Sequence, residues 1–279
     1  MKQIFVLTAY LYAVGGTLCL HAQENGGVSA QYECLYEYTA QVKDDMTDTY
    51  STILQIGSSQ AKFFDYTTYQ VDSAAQVPNP SDEALQDLRT RERKNPFWFD
   101  YTIYQNHPEG KMSTYSVMGL DRYTYTESGN PIAWTLAEDT DTICGYVCRK
   151  ATGEYGGRLW TAWYAEEIPV PFGPWKLCGL PGLVMRASDS EDIHRFEAFA
   201  FRSGSVGISA PDRTNVITTS REKFVKLKNT LKGDPFSTIP KESITSITVL
   251  KNDGGTSSIL VNGTKVRMAI NGYVPLELK

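Results

Sequence analysis

The residues of this 279-residue chain with chemical potential are its cysteines, its histidines and one adjacent pair of glutamates. Cys34, Cys144, Cys148 and Cys178 form an even set that suits disulfides in an oxidising compartment, with three connectivities open. A metal site is the weaker use of the same thiols. The C-x-x-x-C run from Cys144 to Cys148 reads as a strand, and only His107 and His194 lie beyond the leader as imidazoles, so no metal is expected. In a regular strand those two cysteines share a face, roughly 13 Å apart at strand rise. Bridged Cα atoms lie within about 7 Å. Cys148 is therefore expected to reach Cys178, leaving Cys34 with Cys144.

Catalysis finds little support in the sequence. Glu166 and Glu167 would serve hydrolysis if one carboxyl were held protonated. As strand neighbours they point to opposite faces, and neither G-x-S-x-G nor H-E-x-x-H occurs. His107 sits in the turn-like run Asn106-His107-Pro108-Glu109-Gly110, and His194 opens a strand, where exposure is the default. No catalytic residue and no cofactor is expected, and a hydrolase of unknown type ranks third among the functions considered.

The elements that must position these residues are mostly strands. Tyr32, Cys34, Tyr36, Tyr38 and Ala40 alternate with Glu33, Leu35, Glu37 and Thr39, the pattern of a half-buried strand. Further β-type runs stand at 52–56, 61–69, 97–104, 111–117 and 122–126. Two helices interrupt them. Ser81 caps a helix over 81–94 with Asp82 and Glu83 in its first turn, and Thr219 with Glu222 suggests a capping box for a helix carrying Phe224, Leu227 and Leu231. A C-terminal β-meander over 244–279 turns at Asn262-Gly263. The fold expected is mainly β, a β-rich α+β protein: a curved antiparallel sheet or half-open barrel with one or two packed helices.

The first residues point to export. Lys2 precedes an uncharged apolar run to Leu20, too short to span a bilayer, and Ala22 supplies a small residue for cleavage. Cys19 follows Leu18, a poor lipoprotein context. The organisation expected is a signal peptide over 1–22 and a single β-rich domain over 23–279, placed in the periplasm or at the outer-membrane periphery without a transmembrane span. A net charge of -5 with no long like-charge blocks gives no footprint for nucleic acid.

From Trp134 to Phe201 the order of features is distinctive. A strand carrying Cys144-Gly145-Tyr146-Val147-Cys148 is followed by a Gly156-Gly157 turn, the strand 158–164, a proline-punctuated loop, and Gly179-Leu180-Pro181-Gly182-Leu183-Val184. Pro181 and Gly182 suit positions i+1 and i+2 of a type II turn. This stretch resembles the GLPGLI family of exported proteins from Bacteroidetes, with Val184 in place of the motif's last isoleucine. The ending Pro275-Leu276-Glu277-Leu278 is similar to a common family terminus. The resemblance implies export and carries no established activity.

Strand 158–164 puts Trp160 and Tyr164 on one face and Leu159 and Trp163 on the other. A central strand covered on both sides explains this; so does a cavity for an apolar ligand, with Trp160, Trp163, Tyr164 and Trp175 facing it. The first functional expectation is non-enzymatic binding, in the periplasm, of an apolar or lipid-like ligand or a lipoprotein. The alternative is a structural or assembly factor whose GLPGLV turn docks on another envelope protein.

Overall fold

The computed structural model describes residues 28–43, 46–95, 99–204, 206–231, 236, 238–251, 257–266 and 274–279. The expected signal peptide lies outside them. Two-residue strand β1 (Val28–Ser29) precedes β2 (Tyr32–Lys43), β3 (Met46–Ile56), β4 (Ala61–Asp65), β5 (Tyr101–Gln105), β6 (Lys111–Met118) and β7 (Asp121–Ser128). After these come β8 (Thr135–Ile143), β9 (Tyr146–Tyr155), β10 (Arg158–Ala165), β11 (Leu183–Asp189), β12 (His194–Ser203), β13 (Gly207–Ile208) and β14 (Val216–Thr218). Twelve of them form one sheet in the order β14-β7-β6-β5-β4-β3-β2-β12-β11-β10-β9-β8. Its pairings are antiparallel apart from β14 on β7. The sheet is large and curved but does not close into a barrel, so β8 and β14 remain its edges. A small meander of β15 (Ile247–Lys251), β16 (Ser257–Val261) and β17 (Thr264–Val266) stands as a separate sheet, turned at Asn262-Gly263 as expected.

Among the described residues three α-helices occur where one or two were expected: α1 (Tyr66–Ala75), α2 (Asp82–Lys94) and α3 (Arg221–Thr230). The sequence around α1 reads as a continuation of β4, because Tyr66, Thr67, Thr68 and Tyr69 favour strands. Asp65 decides otherwise. Its carboxylate accepts from the Thr67 and Thr68 amides at 2.9 and 3.1 Å, a side-chain cap that starts a helix. Tyr69 is then buried with Leu35, Ile53 and Phe64 on the convex face of the sheet, and tertiary burial outweighs propensity. Ser81 caps α2 as read from the sequence. In α3 the cap is Ser220, accepting from the Lys223 amide, so the expected capping residue Thr219 is one position early.

The concave face holds the main core. Cys34, Tyr36, Tyr38 and Ala40 of β2 pack there with Phe63, Ile103, Tyr125, Trp160, Tyr164, Val184 and Phe196, and α3 adds Phe224. The alternation read in β2 marks the core-facing side correctly, but its other side is not a free outside, since Glu33 and Leu35 there are buried as well, Leu35 against Tyr69 of α1.

Candidate functional site

The loop between β10 and β11 fills the hollow of the sheet. Residues 172–178 are all buried. Gln105, at the end of β5, donates its side-chain amide to the carbonyls of Gly173 and Trp175 at 2.6 and 2.8 Å. Trp134 donates its indole N–H to the Cys178 carbonyl at 2.8 Å, and the Tyr36 hydroxyl donates to the Val184 carbonyl at 2.7 Å. The loop also bonds to itself, Gly179 N to Pro171 O at 2.9 Å and Val184 N to Phe172 O at 3.1 Å. A buried irregular segment needs such partners, because each unpaired backbone group costs about as much as a lost hydrogen bond.

The glycines of the motif have different duties from those expected. A type II turn requires positive φ at Gly182, yet the positive φ falls on Gly179, at 93°. Gly182 is needed for contact: a Cβ there would lie 2.1 Å from the Ala165 carbonyl oxygen. Leu180, Leu183 and Val184 are core residues, and only Gly179 and Pro181 of the six reach solvent.

Beneath the loop lies a charge cluster that the sequence did not reveal. Lys176 is fully buried, with Nζ 2.6 Å from Glu277, 3.0 Å from Glu127, 3.3 Å from the Tyr155 hydroxyl, and bonded to the Tyr125 hydroxyl. Burial pulls its pKa down, but Glu277, Tyr155 and Glu127 outweigh burial and hold it above the ordinary lysine range. Arg221 adds a second cation, 2.7 Å from Glu277. Arg158 and Asp189 form another buried pair at 2.5 Å.

Of the aromatic candidates, Trp160, Tyr164 and Trp175 are wholly buried in the core cluster. Trp163 points to the convex side, flanked by Arg186 at 5.1 Å and Lys150 at 6.0 Å from its ring. Leu159 on the same face is 47% exposed while Thr161 and Trp163 are half-buried, so this face of the strand is only partly covered. His194 is buried rather than exposed: its Nδ1 lies 2.9 Å from the Tyr38 hydroxyl, and its ring stacks on Tyr38. Glu166 and Glu167 are both exposed.

All four described cysteines are free thiols, so neither expected bridge is formed. Cys144 is not in a strand. It and Gly145, with φ of 52° and 83°, make the two-residue turn between β8 and β9, which removes the same-face argument for Cys144 and Cys148. Cys178 turns toward the Gly129 carbonyl at 3.4 Å, whereas Cys148 faces the Tyr146 carbonyl at 3.5 Å.

An open cleft lies on the opposite, convex face of β4 to β7, with a volume of about 540 Å³. Lys62, Tyr104, Tyr115 and Arg122 come from the strands, Asp72 from α1, and Lys265 from β17. Registers Lys62↔Tyr104 and Thr102↔Tyr115 align these side chains on one face. Lys62 bonds to Asp72 at 3.2 Å and Ser209 at 2.8 Å, and its ammonium sits 3.8 Å over the Phe64 ring. Burial lowers its pKa, partly offset by Asp72. Arg122 pairs with Asp212 at 2.7 Å and Lys265 with Glu92 at 3.2 Å. The cleft thus has an aromatic floor and a rim of balanced charge, which accommodates a molecule with one apolar and one polar part. Reading 61–69 as a single strand hid it, since α1 forms one wall.

Fold and sites together define a β-rich protein whose open, curved sheet is filled by its own loop and clefted on its outer face. A family model described as "Protein of unknown function (Porph_ging)" matches residues 157–186, the stretch from the β9–β10 turn through the motif. No curated protein matches the chain. Two solved structures of PNGF-II, in the P21 and C2 space groups, are similar at 14% identity. Their TM-scores are 0.47 and 0.48, covering 71% and 83% of this chain. The chain spans 33% and 40% of their length.

Proposed function

We propose that this is a non-catalytic, exported protein of the cell envelope that binds an amphiphilic, lipid-like ligand, free or as the lipid part of a lipoprotein, in the cleft over β4 to β7. The observation that carries this reading is the pairing of the Tyr104 and Tyr115 floor with the buried Lys62 ammonium. An acyl or other apolar body suits the rings and a polar head suits the Lys62–Asp72 and Arg122–Asp212 ion pairs. The ligand is placed in the outer cleft because Trp160, Tyr164 and Trp175 are consumed by packing. Native mass spectrometry of protein exposed to an envelope lipid extract tests it. One retained amphiphile per chain is expected, lost on Tyr115→Ala with Lys62→Met. A chain that stays empty sinks the proposal.

A second reading is favoured by the partly covered convex face of β9 to β12, where Leu159 and Phe199 are 47% and 55% exposed. There the protein would dock on another envelope protein as an assembly factor. Crosslinking in intact cells would then give a stoichiometric protein partner, abolished by Leu159→Asp and Phe199→Asp.

A further inference from the structure

The segment 274–279 is held as a bound peptide would be. The Arg158 guanidinium donates to the carbonyls of Pro275 and Leu276 at 2.7 and 3.2 Å, and the Leu278 amide donates to the Gly156 carbonyl at 2.7 Å. Leu276 is 1% exposed and Glu277 2%. The Glu277 carboxylate accepts from Lys176 on one oxygen at 2.6 Å and forms an ion pair with Arg221 through the other at 2.7 Å. Arg221 also donates to the main-chain oxygen of Lys279 at 2.8 Å. Gly156 and Gly157 shape the contact, since a Cβ on either would come within 3.2 Å of Glu277 or 3.0 Å of Leu278.

Each part of this site reads one property of the segment: Arg158 the direction of the backbone, the core a leucine, Lys176 with Arg221 an acidic side chain, and the glycine turn a close backbone approach. We infer that the β9–β10 turn, Lys176 and the start of α3 form a recognition site for an extended Pro-Leu-Glu-Leu segment, and that the site takes this segment from a second copy of the chain as well as from its own. The chemistry recognises the residues rather than their covalent origin, and every copy carries the same segment. Within one chain the local concentration of the segment is on the order of millimolar, so exchange between copies emerges when the chain's own segment is weakened or the protein is concentrated.

The test uses the full chain carrying Glu277→Gln, in which one buried charge contact of its own segment is lost, titrated with a labelled peptide of residues 274–279. Saturable binding of one peptide per chain is expected, weakened roughly tenfold or more when the peptide carries glutamine at the position of Glu277. Near-UV circular dichroism establishes that the variant is folded. If the folded variant takes up no peptide at concentrations up to about millimolar, the inference is overturned. Should Glu277→Gln fail to fold, the same titration on Leu278→Ala decides, because that side chain is half exposed. An empty titration there overturns the inference equally.

Discussion

A methyl group added to Gly182 meets the Ala165–Glu166 peptide group, its carbonyl oxygen at 2.1 Å and its nitrogen at 2.9 Å, and backbone is no flexible side-chain end. Gly182→Ala is therefore expected to cost about 3 kcal/mol, the upper part of the overpacking range, in urea unfolding; a cost near zero would refute the contact. Lys176 illustrates the same dependence on surroundings. Lys176→Met leaves the buried Glu277 and half-buried Glu127 with Arg221 as their remaining cation, so a loss of about 3 kcal/mol, the low end for a broken buried pair, is expected. Adding Glu277→Gln should recover part of it in a double-mutant cycle. Because the folded pKa of Lys176 is raised, its contribution is complete below the ordinary lysine pKa and is lost only as pH climbs toward the folded value. The stability difference between wild type and Lys176→Met should hold constant from pH 7 to 9. Thiol chemistry separates the cysteines equally sharply. Burial pushes Cys34 and Cys178 up to about 12 and Cys148 to about 11, while Cys144 is exposed. Reduced protein lacking residues 1–22 should show one fast thiol at pH 8, mapped to Cys144 by peptide mass.

Turns and caps determine where the elements begin. Cys144 at φ 52° occupies a position that glycine, asparagine and aspartate adopt more readily. Cys144→Asn should accordingly raise stability by up to about 1 kcal/mol, read by thermal unfolding of the reduced protein. A loss would mean that the Cys144 side chain contributes packing that the turn geometry does not reveal. The same logic explains α1. Asp65 holds the Thr67 and Thr68 amides and also accepts from the Phe99 amide at 3.0 Å, so one carboxylate both starts the helix and ties it to the chain entering β5.

At the scale of the molecule, the sheet is curved enough to enclose a core but ends in free strands. β2 lies between β3 and β12 with its concave face in the main core, whereas β8 is bonded on one side only and most of its residues are exposed or half-buried. The register of β8 on β9 breaks between Leu136 and Thr140, an irregularity of the kind that discourages further pairing at an edge. Hydrogen exchange should therefore run orders of magnitude faster in β8 than in β2 and β12. Equal protection of β8 in dilute protein would indicate that its edge is covered in solution.

Local rules settled much of this protein from the sequence. Two-residue alternation defined β2, a serine cap defined α2, and paired positive-φ residues marked the turns at Gly156-Gly157 and Asn262-Gly263, because these signals depend only on neighbours along the chain. The family-like stretch was also legible as a unit, although Gly182 acts through a close contact and Gly179 through its positive φ instead of the expected turn. Tertiary structure alone decided what those residues meet. Trp160 and Trp175 became core because the loop folds into the sheet, Lys176 found Glu277 across a hundred residues, and the outer cleft arose only when α1 and the meander were set against β4 to β7. Such pairings depend on which distant groups are brought out of water together, and no periodicity in the sequence encodes that.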